Sequence, residues 1–558
     1  MMNKQLALLG FSTAPLFLII SNFLPQERNA SFSTLVFIVI IVILNFVLKR
    51  WFYDERQFII SSNLIQTILI LFYFLILTLI TQNYLLHFEI IDWDISSYIV
   101  ASNEIANGYL PNETQWESKG PILIYMYYFV LGIVSGNFIY FKIANDLLLF
   151  LIACIFFFTS LVISKNKLFN SVIATSIFIL LMSQPWAVSG YSELYALLFI
   201  STGIFIYKKE DFTYKYFLVG LIFALSTLVN QGTIIFLIPL LIGIIWVDNP
   251  RNKLFKIFIG FTVPHILFLC VYQLNGLLDV YLTTFLTIPI SYTAANYSNL
   301  YELKVFMRSF FEFNFGLYFV LLIIFFIIFK NFIKNKNFIK SSFYDTELLL
   351  LGSSLLFYFI ASHNYYHHLI FFLYFISMYV AKLKFDINFV LIISFVLLTI
   401  FISLSTSGFN SYSNLRNLDK LYENYPLKQL AEEIENRKID ELEVLALDYN
   451  LLLHYLGVAN YSYIVHGTNF LEPYILTSLE EIGLIEKDYL NSLKNKKPKV
   501  IICSEYMIVR GEVQNQAIFP CNQDHLLDYN QVNTDVFFTE NLNYYRDPYK
   551  EIKLFIRR

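Results

Sequence analysis

The sequence predicts a polytopic α-helical membrane protein of about thirteen spans, followed by a small extracytoplasmic α/β domain. Three observations carry this. Of 558 residues, 57% are hydrophobic and 15% charged, against about 25% charged in soluble proteins. Apolar runs long enough to cross a bilayer, roughly 20 residues each, recur from residue 5 to residue 405. Beyond residue 411 the chain turns polar, and short apolar runs alternate with helical patterns.

Taken in order, spans are expected near 5–24, 33–50, 61–84, 138–163, 168–186, 190–207, 214–229, 232–247, 255–274, 305–330, 346–362, 367–381 and 386–405. The N-terminal stretch is similar to a signal peptide, but its apolar run is long and no small-residue cleavage site follows. It reads as a retained first span. The segment 121–136 (PILIYMYYFVLGIVSG) is apolar too, and charge decides how to treat it. With 121–136 left out of the count, alternate loops receive eighteen Lys and Arg residues, from Lys4 to Lys384. The opposite short loops then hold Arg28, Lys119 and Lys304. Basic loops stay cytoplasmic, which puts the N-terminus inside and the C-terminus outside. Counting 121–136 as a span would export most of those lysines, so it reads as a Tyr-rich helix lying in the outer interface.

Residues 412–558 form the second domain, long enough for one core. The segment 419–438 has the pattern of an amphipathic helix. Apolar runs at 441–447, 462–466, 499–504, 535–540 and 551–558 alternate with helices around 450–456 and within 473–495. That order suggests a partly parallel sheet. No Gly-rich phosphate loop follows any of these strands, so nucleotide binding is not assigned. Cys503 and Cys521 lie here and can pair in an oxidising compartment, although spacing alone leaves this open. A net charge of −3 offers no basic face for nucleic acid. Phe (58) and Tyr (40) are so abundant that aromatic clusters carry little weight as ligand boxes.

The chemistry-bearing stretch is the first outer loop, 85–137, above all Asp92–Gly132. Asp92 and Asp94 stand two residues apart at the mouth of a span, where acids are costly to place. For an isolated Asp, capping the helix that begins near Ser96 is the commoner explanation. Their setting argues for more: Tyr98, Glu117 and Lys119 share the loop, and a carboxylate beside a low-dielectric surface can be raised toward a general base. Lys119 is the only Lys or Arg between Arg56 and Lys142, placed to neutralise a lipid phosphate or to snorkel at the interface. Glu193 opens a span at its outer end, as a site residue or a polar contact between helices.

His363, Asn364, Tyr365, Tyr366, His367 and His368 lie between two late spans. Adjacent histidines cannot share one helical face, which makes a weak metal signal; hydrogen bonding to a phosphate or sugar is favoured. Asn230, Gln231, Tyr292, Asn296 and Tyr297 are weaker candidates for sugar or polyprenyl contacts. No Cys/His metal spacing occurs, and no metal site is assigned, although paired aspartates such as Asp92 and Asp94 can hold a hard cation through oxygen.

The order Asp-x-x-x-Tyr (Asp94, Tyr98), Ala-Asn-Gly-Tyr (106–109) and Glu-Ser-Lys-Gly-Pro (117–121) resembles the first outer loop of GT-C glycosyltransferases. The likeness is to the bacterial branch related to protein O-mannosyltransferases and lipid A aminoarabinose transferases, and covers roughly residues 85–500. The chain departs in having two spans before the one leading into the acidic loop, and Lys-Gly-Pro where Lys-Pro-Pro also occurs. The resemblance implies Asp94 in the catalytic place with Asp92 beside it, and Lys119 as the family lysine. Glu193 matches an acid at a later span, and His367 or His368 a His-Tyr segment. It further implies a multi-pass protein of the bacterial inner membrane, with loop and C-terminal domain outside and no cofactor. The expected reaction is inverting transfer from a polyprenyl-phosphate-linked sugar to a hydroxyl on a glycan, lipid or protein, in cell-envelope synthesis. The rivals are a flippase of lipid-linked sugars, which should show repeats and broken spans with midplane charges, and a polysaccharide polymerase or ligase with Arg-rich outer loops. An inactive relative that only binds or scaffolds is a further reading.

Overall fold

The computed structural model describes residues 64–295, 345–382 and 409–558, apart from 91, 166–167, 185, 188–189, 211, 246–249, 361–364, 505–506, 510–511, 515–525 and 535–551. The expected spans near 5–24, 33–50, 305–330 and 386–405 lie outside the described residues, as do His363, Asn364, Asn296 and Tyr297.

Apolar helices dominate the first part. In order these are α1 (Leu64–Gln82), α2 (Trp93–Asn103), α3 (Pro121–Ile133), α4 (Phe138–Ile163), α5 (Leu168–Leu181), α6 (Ser192–Lys208), α7 (Lys215–Val229), α8 (Leu237–Ile245) and α9 (Pro250–Leu274). Then come α10 (Ile288–Ala295), α11 (Thr346–Ile360) and α12 (Ile370–Lys382). Among the described residues, Leu64–Leu85, Phe138–Ile163 and Pro250–Leu274 are long and apolar enough to cross a membrane, and five shorter apolar helices accompany them. Their outward faces are greasy: Leu64, Ile68 and Phe72 on α1 and Phe255, Phe258 and Leu267 on α9 are exposed. Such rows are costly in water and suit hydrocarbon, where a helix satisfies its own backbone.

Close packing of α7 on α9 depends on two glycines. A Cβ on Gly220 would lie 2.1 Å from the Ile257 carbonyl oxygen, and one on Gly260 would lie 2.1 Å from that of Phe217. Small residues let helix backbones meet in membranes. This contact holds the first half of α7, whose far end, at Leu228 and Val229, meets the first loop.

The C-terminal part contains α13 (Pro426–Asn436), α14 (Leu451–Leu456), α15 (Pro473–Glu481), α16 (Tyr489–Asn495) and strands β1 (Val444–Ala446), β2 (Val500–Ser504), β3 (Met507–Val509), β4 (Glu512–Gln514), β5 (Tyr529–Val532) and β6 (Ile552–Arg557). One sheet has the order β1-β2-β6-β5, parallel between β1 and β2 and antiparallel elsewhere, and β3 pairs with β4 apart from it. The expected run at 535–540 lies outside the described residues. Cys503 is disulfide-bonded, Cys154 and Cys270 are free, and Cys521 lies outside the described residues.

Two expectations need correction. The helix expected over 419–438 is two helices, Leu418–Glu423 and α13, because Pro426 lacks the N–H a continuing helix needs and starts a new one instead. The run at 462–466 is no strand of the sheet. It leaves the domain and pairs with the first loop: the Trp116 N–H donates to the Tyr463 carbonyl at 2.7 Å and Val465 N–H to that of Trp116 at 3.2 Å. Its apolar residues cover Trp116, which is fully buried and donates its indole N–H to Thr284 Oγ1 at 2.9 Å.

A second fastener sits at Glu89. Its carboxylate accepts the N–H groups of Leu427 (2.7 Å) and Lys428 (3.2 Å), capping α13, while Lys142 Nζ donates to the Phe88 and Glu89 carbonyls at 2.5 and 2.7 Å. Losing a cap costs about 0.5–2 kcal/mol. Glu89→Ala is therefore expected to loosen α13 and speed limited proteolysis between 409 and 437, with transfer of the polypeptide into the membrane unchanged; wild-type cleavage rates would remove the cap from the account.

Candidate active site

Asp92 caps α2, its carboxylate accepting the Asp94 N–H at 3.0 Å. One turn separates Asp94 from Tyr98, so the Tyr98 hydroxyl reaches Asp94 Oδ2 at 3.1 Å. The other oxygen, Oδ1, lies 2.9 Å from His466 Nε2. His466 comes from the 462–466 run, whose pairing with Trp116 carries it over the acidic helix. Thr468 fixes the far side of the ring, its hydroxyl 2.8 Å from Nδ1.

The two carboxylates are driven apart electrostatically. Burial, then the charge of Asp94, pushes Asp92 up to about 7. Burial also acts to raise Asp94, but the His466 hydrogen bond and charge outweigh it and hold the group below the usual carboxylate range. His466 moves oppositely: burial lowers it, and Asp94 more than reverses this, raising it to about 9. At neutral pH the pair is carboxylate and imidazolium. The expectation of a raised pKa thus fits Asp92 and is corrected for Asp94, because a cation from a distant segment lies against it.

Glu117 is buried, and burial raises it. Its Oε1 accepts from the Ser118 N–H (2.7 Å) and hydroxyl (2.9 Å). Lys119 follows, half-buried, near enough for its charge to act on Asp94, His367 and His368. The following Gly120 donates its N–H to the Val229 carbonyl at 3.2 Å, and Gln231 reaches the Ser118 carbonyl at 3.4 Å. A Cβ at Gly120 would stand 2.0 Å from the Leu228 carbonyl oxygen. Its φ of −71° suits any residue, so space is the requirement. That explains Lys-Gly-Pro here, with Pro121 starting α3. Gly120→Ala should push the Lys119 turn off α7 at a cost of about 1–3 kcal/mol; a lowered Tm is expected, and an unchanged Tm would refute the contact.

Glu193 heads α6 and is buried. Asn230 Nδ2 donates to its Oε1 at 3.0 Å and the Ser192 hydroxyl to its Oε2 at 3.1 Å. His367 and His368 occupy the short 3₁₀ turn Tyr366–Leu369, just ahead of α12, so the span expected over 367–381 begins a turn later. His367 is stacked between Tyr191 (4.5 Å) and Tyr365 (5.5 Å), the latter itself exposed. His368 Nε2 lies 3.8 Å from Glu193 Oε1. Burial lowers His367 to about 4 and His368 to about 3, leaving both imidazoles neutral. Because a turn rather than a helix carries them, their rings stand 82° apart, and one nitrogen of each lies within 4.8 Å of a Glu193 oxygen. The helical-face argument against a shared ligand set therefore does not apply.

Asp92, Asp94, Tyr98, Glu117, Lys119, Glu193, His367 and His368 thus gather at one place, and Tyr365 edges it. Tyr292 lies elsewhere, its ring 6.2 Å from that of Tyr474. Sequence reasoning missed His466 and Tyr191, whose side chain hydrogen-bonds Asp92. Nothing local marks either.

The packing of these helices, with α2 and α3 at the site, is a GT-C-like fold. One solved structure it is similar to is ArnT from Cupriavidus metallidurans, crystallised bound to undecaprenyl phosphate. That structure is 11% identical, with a TM-score of 0.51, over 78% of this chain and 92% of that one. The apo form of ArnT aligns over the same shares at 10% identity and a TM-score of 0.41. No family model matches the sequence, and no curated protein matches it.

Proposed function

We propose that the protein is an inverting glycosyltransferase that moves a sugar from a polyprenyl-phosphate carrier to a hydroxyl acceptor at the outer membrane surface. The observation that carries this is Asp94, an ionised carboxylate held by Tyr98 and His466 in the same cluster as Lys119. A lipid-borne donor requires a site at the bilayer edge, and the fold likeness is to a protein crystallised with undecaprenyl phosphate.

The acceptor hydroxyl would displace one partner of Asp94 and hydrogen-bond to the freed oxygen. As the acceptor oxygen attacks C1, the C1–O bond to phosphate breaks and the acceptor proton passes to Asp94. The polyprenyl phosphate departs with the bonding electrons, its charge met by Lys119. Breaking the sugar–phosphate bond builds positive charge on C1, so a weakly basic carboxylate suffices for a proton that leaves late. In this reading thirteen spans place the N-terminus in the cytoplasm and the loop 85–137 and residues 412–558 outside. Asp92 and Asp94 are not assigned a metal, since Asp92 caps α2 and Asp94 is taken by His466 and Tyr98.

Membranes containing the protein, given a radiolabelled polyprenyl-phosphate sugar and an envelope extract, should show label moving to an acceptor with inverted anomeric configuration. Label that crosses the bilayer while still on its lipid would establish the flippase reading instead.

A further inference from the structure

The Glu193–His367–His368 cluster contains a gap that hydrogen bonding does not fill. One ligand-capable atom from each of the three residues lies within 4.8 Å of the others. The 3.8 Å between His368 Nε2 and Glu193 Oε1 is too long for a hydrogen bond. Two ligands of one zinc-class ion, each about 2.0–2.2 Å from it, stand about 3.4 Å apart in a tetrahedron, so a small closing rotation of these side chains completes the set.

The surroundings are those of a built site. Asn230 and Ser192 each hold one oxygen of Glu193, and outer hydrogen bonds of this kind orient metal ligands. The two tyrosine faces clamp the His367 ring, and Phe357 meets that of His368 edge-on at 5.8 Å. Two imidazoles and a carboxylate suit a first-row transition ion, and three protein ligands leave a fourth position open. Lys119 close by would repel such an ion unless an anion lay between them, and a phosphate is an anion of the right kind.

We propose that Glu193, His367 and His368 hold one divalent first-row transition ion of the zinc class, with its open position turned toward a phosphate oxygen of the lipid donor. The final clause rests on the transferase reading; the ion site itself does not.

The full-length protein, purified in detergent, loaded with Zn²⁺ and dialysed against metal-free buffer, should retain one ion per chain by elemental analysis. Co²⁺ in its place should give the visible bands of a nitrogen-ligated tetrahedral site. His368→Ala and Glu193→Gln should each retain less than a tenth of an ion. Should either fail to fold, the wild-type Co²⁺ spectrum decides alone. Zn²⁺ removal should weaken farnesyl phosphate binding about tenfold, equivalent to 1.4 kcal/mol. No retained ion and no Co²⁺ bands would overturn the site and leave a bridging water in the gap, whether or not sugar transfer is observed. Ion binding without any effect on farnesyl phosphate would overturn the phosphate-facing position. A bound ion in a protein that transfers no sugar would keep the site and remove the transferase reading.

Discussion

Asp94→Asn is expected to abolish sugar transfer while the protein still inserts and folds. The amide matches the carboxylate in shape, can still accept the Tyr98 hydroxyl, and sits where the side chain is 26% exposed. It cannot take a proton. Losing a general base costs about 10²–10⁴-fold in rate, or roughly 3–5 kcal/mol at 1.36 kcal/mol per decade. Asp92→Asn is the matched control, because Asn caps a helix as well as Asp does, and α2 should start unchanged. Transfer from a radiolabelled polyprenyl-phosphate sugar in membranes checks both. A silent Asp92→Asn with a dead Asp94→Asn supports the assignment. The reverse pattern would move the base to Asp92, whose value near 7 is also suited to proton transfer.

His466→Ala should reduce transfer by about ten- to a hundredfold, below the loss of the base itself, and should change its pH dependence. Without the imidazolium, burial dominates at Asp94 and its pKa rises, so the acid limb of the rate profile moves to higher pH. His466→Gln keeps a hydrogen-bond donor without the charge. It should restore orientation, and with it much of the rate at high pH, but not the low-pH activity. Identical profiles for all three proteins would show that His466 only packs. The same pair links the C-terminal domain to pH. His466 is raised from about 6.5 to about 9, so its contribution to holding the 457–472 loop is full below about 6.5 and is lost as pH rises through 9. Amide hydrogen exchange in that loop should accelerate over this window in the wild type and not in His466→Ala.

These outcomes test different kinds of information. Asp94 and Tyr98 could be paired from sequence because four positions along a helix are one turn, and that geometry needs no tertiary contact. The Lys119 turn was visible as a lone cation in an acidic loop. The reason for Gly120 is the Leu228 carbonyl, which no local pattern shows. His466 was hidden more deeply: 372 residues separate it from Asp94, and it ends a run whose apolar alternation looks like an ordinary strand. That run is apolar for another purpose, to cover Trp116.

The sequence by itself determined a chain of many apolar helices, a polar C-terminal part and an acidic loop following one of those helices. Those features are written in composition and short-range periodicity, where the bilayer and the helix repeat leave few alternatives. Only the tertiary structure decided which carboxylate is ionised, that the C-terminal domain supplies its partner, and that Glu193 meets two histidines. Each depends on charges brought together from distant segments, and the energy of such a meeting falls with a distance that chain order does not contain.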